Sequence, residues 1–222
     1  ATFAYYADLA DGLDTRQNAA VALPDDSYQS FTRLEPLGVV GLIVPWNFPL
    51  VTSAWKLAPA LAAGCCVLLK PSELTPLIEL QLGEIASAIG LPAGVFNLLP
   101  GDAATGAALV AHPQIAKLSF TGSNAVGRKV MQAAATRPMP VALELGGKSP
   151  ILVFADSDLD QAVQIAQRLE TGNVYINESF YLSPDAPFAG HKQSGFGVEM
   201  GEDGVLSFTQ PQTLMIRQNV FD

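Results

Sequence analysis

The chain is poor in charged residues, and in basic residues most of all. Only 15% of its 222 residues are charged, and 12 lysines and arginines stand against 21 acidic residues, which gives a formal net charge of −9 at pH 7. Proteins that bind nucleic acid need clustered lysine and arginine for the phosphates, whereas the basic residues here are scattered. The composition therefore argues against a nucleic-acid partner.

Cysteine and long apolar runs are scarce as well. The two cysteines, Cys65 and Cys66, are adjacent, a geometry that disfavours a structural disulfide, and no further Cys or His cluster supports a metal site. The apolar stretches 38–44 and 58–69 are interrupted by Gly or Pro and fall short of the ~20 residues that span a bilayer. The first residues lack the basic region of a signal peptide. We expect a soluble protein of the reducing cytoplasm, without a membrane helix.

What the chain does have is a regular alternation of apolar strands and helical patterns from residue 36 onward. Strands with almost no polar residues, separated by helices, indicate a parallel sheet that is covered on both faces. The sequence therefore predicts a doubly wound, Rossmann-like α/β fold. The predicted strands are 39–44, 66–69, 95–98, 116–120 and 141–144, and the predicted helices are 50–63, 76–89, 103–111 and 123–135.

The flanking segments show other patterns. Residues 2–13 have the spacing of an amphipathic helix that Gly12 would end. An apolar stripe of helical spacing runs from Leu159 to Leu169, with Gly172 as its predicted stop. The remaining predictions are strands at 27–34, 174–176 and 206–216 and a Gly- and Pro-rich loop at 183–197.

A glycine turn follows the predicted strand 116–120. Gly122 and Gly127 frame the entry into a helix, whose N-terminus offers unpaired N–H groups and a positive dipole end to a pyrophosphate. Glycine also lets the backbone approach such a ligand closely. Because the motif lacks the middle glycine of the usual dinucleotide fingerprint, an ordinary glycine turn before a helix stays open as the alternative.

Three other strand ends carry polar residues, where an open α/β sheet places its ligands. Two prolines aim the amide of Asn47, which suits a carbonyl oxygen, although a rigid turn with a core Trp46 is the alternative. Lys70 and Glu73 suit ribose hydroxyls, or else form a solvated ion pair. Glu144 is a candidate general base, or else a hydrogen-bonded structural acid.

Together these pieces are far more specific than any one of them. The segments LIVPWNFP, KPSE, FTGS and LELGGKSP, in that order, with PFAGHKQSGFGVEMGEDGV near the end, resemble the aldehyde dehydrogenase superfamily, and its betaine-aldehyde-dehydrogenase-like branch in particular. The resemblance covers nearly the whole chain. It implies a fold that binds a nicotinamide dinucleotide.

The resemblance also implies roles for individual residues. Asn47 would stabilise the oxyanion and Glu144 would be the general base. A ribose-binding carboxylate at Glu73 would disfavour a 2′-phosphate, so that NAD is preferred over NADP. The cofactor site implied by the resemblance consists of Val44, Pro45, Trp46, Asn47, Lys70, Ser72, Glu73, Phe120, Thr121, Gly122, Ser123, Val126, Glu144, Leu145 and Gly146.

One part of the family pattern is missing. The family's nucleophile is a cysteine that follows the ELGG strand, and here no cysteine occurs after Cys66. The chain passes from FADSDLDQAV, which matches the family just before its catalytic domain, into QIAQRLETGNVYIN, which matches close to that domain's end. The resemblance thus implies NAD binding without aldehyde oxidation. The alternatives are a residual or partner-assisted aldehyde dehydrogenase, and a structural module with no nucleotide.

The resemblance finally implies a division of the chain and a tendency to self-associate. We expect an N-terminal helix and first arm strand at 1–35, a NAD-binding domain at 36–163, and a remnant with the last arm strand at 164–222. Strands 27–34 and 206–216 would form a small oligomerisation arm with unpaired edges, exposing apolar residues such as Phe31 and Phe208. A homodimer or higher homo-oligomer is expected.

Overall fold

Strands and helices alternate along most of the chain. The computed structural model describes residues 1–15, 17–147, 158–178 and 181–218. Its elements are α1 (Thr2–Thr15), β1 (Ala19–Val21), β2 (Tyr28–Pro36), β3 (Val39–Ile43), α2 (Pro49–Ala62), β4 (Cys66–Lys70), α3 (Leu77–Ala88), β5 (Phe96–Leu98), α4 (Ala103–Ala111), β6 (Lys117–Thr121), α5 (Asn124–Ala134), β7 (Val141–Glu144), α6 (Leu159–Ala166), a short 3-10 turn (Lys192–Ser194), β8 (Gly195–Phe196), α7 (Gly201–Leu206) and β9 (Thr209–Arg217).

The larger sheet has six strands in the order β5-β4-β3-β6-β7-β8. All neighbours are parallel except β7 and β8, which run antiparallel. The chain moves outward from β3 to β5 and then returns to β6 and β7, so right-handed crossovers place α2 and α3 on one face and α4 and α5 on the other. The predicted doubly wound α/β fold is confirmed.

Alternation along the central strands divides the interior into two cores. Val40 and Leu42 of β3 pack on the α2 side, whereas Leu118 and Phe120 of β6 pack on the side of α4 and α5. Gly41 makes the second core possible, because a Cβ atom there would lie 2.8 Å from Leu118 Cδ2. A sheet buried on both faces explains why the strands are so apolar.

A third core joins α1, α2 and α7. Tyr6 is buried and donates a hydrogen bond to the Gly201 carbonyl at 3.2 Å. Leu13 is buried in the same cluster. The prediction that Gly12 ends the first helix was wrong, because burial of Leu13 outweighs the modest cost of a glycine within a helix.

The smaller sheet is antiparallel, in the order β1-β2-β9. The predicted pairing of the two arm strands is confirmed, with Phe31 opposite Leu214. Two parts of the prediction were wrong. Leu206 ends α7 and Phe208 is buried, so β9 begins only at Thr209. β1 pairs with residues 30–32 on the other side of β2, so this edge is partly covered rather than open along its whole length.

The region after residue 158 follows the predictions least. α6 ends at Ala166 rather than near Gly172, and residues 174–176 form no strand. The 183–197 loop contains the 3-10 turn and β8. Residues 148–157, which include the end of the LELGGKSP segment, lie outside the described residues, and the predicted division into 1–35, 36–163 and 164–222 stays a prediction.

Candidate functional site

The carboxyl ends of β3, β4, β6 and β7 meet at one edge of the six-stranded sheet. Ile43 lies opposite Lys70 on one side and Phe120 on the other, and Thr121 lies opposite Glu144. The loops that leave these strands are therefore neighbours. Every residue proposed for the cofactor site from the sequence lies in these strand ends, in the loops that follow them or in the first turn of α5.

The loop between β6 and α5 is a tight turn in which Gly122 packs against Phe120 and Ser123 caps the helix. Ser123 caps α5, its Oγ accepting from the Val126 N–H at 3.4 Å. Gly122 donates its N–H to the Glu144 carbonyl at 3.0 Å, and a Cβ atom on it would meet the Phe120 ring at 2.6 Å. Thr121 Oγ1 is buried with no hydrogen-bond partner among the described residues. The loop therefore combines a capped helix N-terminus with one unused hydroxyl.

The next loop along the edge follows β4. Lys70 is buried, and its Nζ donates to the Pro71 carbonyl at 2.9 Å and lies 3.8 Å from Glu73 Oε2. Ser72 is nearly buried, and its Oγ accepts from the Leu74 N–H at 3.3 Å. The Glu73 side chain is 60% exposed. The pair thus has a fixed cation and a carboxylate that reaches solvent.

The loop after β3 contains the two prolines. Val44 is buried, and its N–H donates to the Lys70 carbonyl at 3.2 Å, which joins this loop to the one after β4. Trp46 is 60% exposed and Asn47 is exposed. The alternative of a core tryptophan was therefore wrong, and the loop offers an aromatic face and an amide to solvent.

Glu144 ends β7 in a partly buried position. Its Oε1 accepts from the Gly190 N–H at 3.1 Å. The pKa of Glu144 is raised to about 8, because burial and then the nearby Glu199 raise it more than Lys56 and the Gly190 hydrogen bond lower it. Leu145 and Gly146 follow, and Leu145 donates its N–H to the Ser194 carbonyl at 2.7 Å. The carboxyl group fits both readings of the sequence, a proton acceptor and a structural acid.

Behind Glu144 lies a buried polar cluster that the sequence analysis missed. Lys56 of α2 forms an ion pair with Glu199, and its Nζ also donates to Ser119 Oγ at 3.0 Å. Ser119 donates to Glu199 Oε1 at 3.2 Å. All three residues are buried. The available signal was a lysine in an otherwise apolar helix and a strand, KLSFT, in which polar and apolar residues alternate.

The two cysteines lie at the opposite edge. Cys66 begins β4, whereas the candidate site lies at the carboxyl end of that strand. Cys65 is buried, its Sγ–H donates to the Phe208 carbonyl at 3.4 Å, and burial raises the pKa of its thiol. A buried thiol of raised pKa holds little thiolate, which is the nucleophilic form. Neither cysteine is placed to reach a substrate beside Glu144.

Two features are absent from the part of the chain that the structure describes. Among its residues, no three or more His, Cys, Asp and Glu residues come together in a way that could hold a metal ion. No helix in that part of the chain has the length and apolar character needed to cross a membrane.

Comparisons with known proteins agree with the fold and with the order of the loops. The aldehyde dehydrogenase family model matches residues 1–167 and 161–214. Aminoaldehyde dehydrogenase 2, peroxisomal, of Pisum sativum is 57% identical over 165 residues, which cover 74% of this chain and 33% of that protein. Betaine aldehyde dehydrogenase 1 of Oryza sativa subsp. japonica is 53% identical over 167 residues, which cover 75% of this chain and 33% of that protein. The chain thus spans about a third of the length of the curated relatives it matches.

Solved structures show the same fold. Betaine aldehyde dehydrogenase of Staphylococcus aureus in complex with NAD+ superposes with a TM-score of 0.92 at 22% identity, over 98% of this chain and 74% of that one. PnpE in complex with nicotinamide adenine dinucleotide superposes with a TM-score of 0.90 at 22% identity, over 99% of this chain and 77% of that one. The matched sequence and the shared fold lead to one conclusion. This chain belongs to the aldehyde dehydrogenase family.

Proposed function

We propose that this chain binds NAD along the carboxyl edge of its six-stranded sheet and does not oxidise aldehydes by itself. The observation that carries the proposal is the meeting of four loops at that edge, with a helix N-terminus, a fixed cation and a solvent-facing carboxylate among them. Open α/β sheets bind dinucleotides at this edge. The NAD complexes of the structural relatives support the choice of ligand.

The pyrophosphate would lie at the N-terminus of α5. The first N–H groups of a helix have no partner within the helix, and the helix dipole favours negative charge there. Gly122 brings the backbone against the Phe120 ring, and Thr121 places a buried hydroxyl without a partner among the described residues beside this turn. Val126, in the first turn of α5, is exposed and can contact an apolar part of the cofactor.

The adenosine ribose would lie at the loop after β4. Glu73 can accept hydrogen bonds from two ribose hydroxyls, and Lys70 holds the carboxylate near the sheet. A 2′-phosphate would bring a second negative charge against Glu73, so NAD should bind more tightly than NADP.

Bound NAD would supply a hydride acceptor. The exposed amide of Asn47 can donate to a carbonyl oxygen, and Glu144 can take up a proton once it is ionised. A hydride leaves an aldehyde carbon only after that carbon has become tetrahedral, and in this family a thiolate makes that bond. Both cysteines of this chain lie at the wrong edge, so we expect no turnover.

Aldehyde turnover tests the inactive half of the proposal. With betaine aldehyde or an aminoaldehyde as substrate, purified protein should produce no NADH above the rate without protein. Turnover that scales with protein concentration and survives the Cys65→Ser/Cys66→Ser substitution would contradict the proposal. Turnover that this substitution abolishes would instead identify one of these two thiols as the nucleophile, and the proposal would be wrong in that respect.

We also propose that the chain forms a homodimer or higher oligomer through its arm. β9 pairs with β2 along one edge only among the described strands, and Leu214, Met215 and Ile216 at its end are exposed. Sedimentation at several concentrations should show a dimer that Ile216→Asp shifts toward monomer. A single monomeric species at tens of micromolar would refute this. The net charge of −9 limits further aggregation.

The compartment stays a proposal too. The curated relatives include proteins named as peroxisomal and as chloroplastic. We propose a cytoplasmic location from the sequence alone, and imaging of a tagged chain tests it.

A further inference from the structure

Two helices that lead away from the candidate site are joined by a buried polar contact that the proposed function does not use. Glu79 lies in the first turn of α3, and Ser53 lies near the start of α2. Ser53 Oγ donates to Glu79 Oε1 at 3.2 Å, and both residues are 0% exposed. A carboxyl group buried between two helices is costly, so the contact calls for an explanation.

The Ser53–Glu79 hydrogen bond is the second of two contacts that join the loop after β3 to the loop after β4. In the first contact, the Val44 N–H donates to the Lys70 carbonyl where β3 and β4 end. From there the loop 45–48 leads into α2, and the loop 71–76 leads into α3. The Ser53–Glu79 hydrogen bond joins the two chains again, just inside the helices. Both loops are thus tied to one another before and after the residues proposed to meet the nucleotide.

Local contacts connect the first turns of α2 and α3 to the loops that precede them. On the α2 side, Thr52 Oγ1 donates to the Phe48 carbonyl at 2.8 Å, so the first turn of the helix holds the end of its loop. On the α3 side, the N-cap Pro76 makes no side-chain capping hydrogen bond. The Ser53–Glu79 hydrogen bond therefore gives the first turn of α3 a direct side-chain link to α2. Glu73 lies in the same short loop, and because its side chain is mostly exposed, the position of this side chain depends on the loop backbone.

We propose that Glu79 is a positioning residue, which through Ser53 fixes the loop after β4 so that Glu73 meets the adenosine ribose. Glu79 does not touch the nucleotide itself. This inference rests on the proposed nucleotide site and adds a residue to it that neither the sequence motifs nor the family resemblance assigned.

The state of the carboxyl group supports this role and selects the best variant. Oε2 of Glu79 is buried without a hydrogen-bond partner among the described residues. Burial raises the pKa of Glu79, whereas hydrogen bonds from its own backbone N–H and from Ser53 lower this pKa by a smaller amount. Burial thus favours the uncharged form of the carboxyl group, and Oε1 is the acceptor of the Ser53 hydrogen bond. Glutamine has the same shape and the same acceptor, so Glu79→Gln keeps the contact, whereas Glu79→Ala removes it.

The decisive experiment is a double-substitution cycle with AMP as the probe, since AMP contains the adenosine ribose and no nicotinamide. Calorimetric titration would compare the natural chain with Ser53→Ala, Glu73→Ala and the double variant. Ser53→Ala removes one oxygen from a helix and should fold. We expect Ser53→Ala to weaken AMP binding about three- to tenfold in the natural chain, and less than about 1.5-fold in the Glu73→Ala background.

Two further variants separate positioning from simple destabilisation. Glu79→Gln should keep the AMP affinity within about twofold, and Glu79→Ala should lose as much affinity as Ser53→Ala. Glu84→Ala, an exposed change on the same helix, is the matched control and should leave AMP binding unchanged.

An equal loss in both backgrounds, or no loss on Ser53→Ala, would overturn the positioning role while leaving the nucleotide site in place. A natural chain that does not bind AMP, or that binds it equally well with Glu73→Ala, would overturn the site itself and the positioning role with it.

Discussion

Two lysine–glutamate pairs lie near the candidate site, and they differ mainly in their access to water. Lys56 and Glu199 have side chains that are 0% and 6% exposed, and Ser119 bonds to both of them. Lys70 is equally buried at 6%, but its partner Glu73 is 60% exposed and lies 3.8 Å away. The same two residue types therefore form a closed internal contact in one place and an open one in the other.

The difference shows what each pair can do. A buried pair has its charges satisfied by neighbours, so its value is to hold α2, β6 and the segment around Glu199 together, and losing one partner leaves an unpaired charge in the interior. The open pair contributes little to stability, because water screens an exposed carboxylate. Its carboxylate is free to bind hydroxyls. We therefore assign structure to the first pair and ligand binding to the second.

Breaking the buried pair should have the largest effect. Glu199→Leu leaves Lys56 charged and buried and should lower the free energy of unfolding by about 3–5 kcal/mol. Urea unfolding followed by circular dichroism measures this. The double variant Lys56→Met/Glu199→Leu, which replaces both charges by apolar groups, should recover most of the loss. A single variant that costs less than about 1 kcal/mol would show that this pair is no more structural than a surface pair.

Breaking the open pair should affect binding instead. Glu73→Ala should weaken NAD binding by about 1–3 kcal/mol through the lost charge-assisted hydrogen bonds to ribose. Its free energy of unfolding should change by less than about 1 kcal/mol, because the lost ion pair is exposed on one side. Calorimetry and urea unfolding on one protein preparation compare the two. An unchanged NAD affinity would mean that Glu73 does not face the nucleotide.

The Lys56–Glu199 pair also affects the pKa of Glu144, so the stability of the fold should depend on pH through this carboxyl group. Burial and Glu199 raise the pKa of Glu144 to about 8 in the folded chain, from an ordinary value of 4.5. A raised carboxyl pKa stabilises the fold fully below 4.5, and this contribution is lost as the pH rises through about 8. The natural chain should therefore lose more stability than Glu144→Gln between pH 5 and 9. Parallel pH profiles of the two unfolding curves would contradict the shift.

A smaller effect of opposite sign should come from Lys117 at the amino edge of the sheet. Burial lowers the pKa of Lys117 to about 8 from 10.5, while Glu199 opposes the shift. A lowered lysine pKa stabilises the fold above 10.5, and this contribution is lost as the pH falls through about 8. Together with Glu144, it predicts a minimum of stability near pH 8. Between pH 8 and 10.5, the free energy of unfolding of Lys117→Met should rise less than that of the natural chain.

The sequence was sufficient for the parts of the fold that local pattern controls. The five parallel strands and the four helices that connect them were predicted within one or two residues, because most of these buried strands are strongly apolar and regularly alternate with helical patterns. Elements held by distant contacts were missed. α1 continues past Gly12 because Leu13 packs on α2, and α7 forms where Tyr6 bonds to Gly201. Neither contact is visible in the local sequence.

The site shows the same division. Its loops were located because polar residues at the ends of parallel strands must meet at one edge. The Lys56–Glu199 and Ser53–Glu79 contacts were not foreseen, since they join residues 143 and 26 positions apart through the interior. The local sequence left the position of Trp46 open, because a tryptophan between two prolines has no periodic pattern that distinguishes a surface from a core.

Calorimetric titration of the purified chain with NAD and with NADP shows whether the carboxyl edge of the sheet binds the nucleotide as proposed. We expect saturable binding of one NAD per chain, weak because this chain spans only about a third of its curated relatives, and NADP binding that is weaker by about tenfold or more. No heat of binding with NAD at millimolar concentration, or NADP binding at least as tight as NAD, would contradict this expectation.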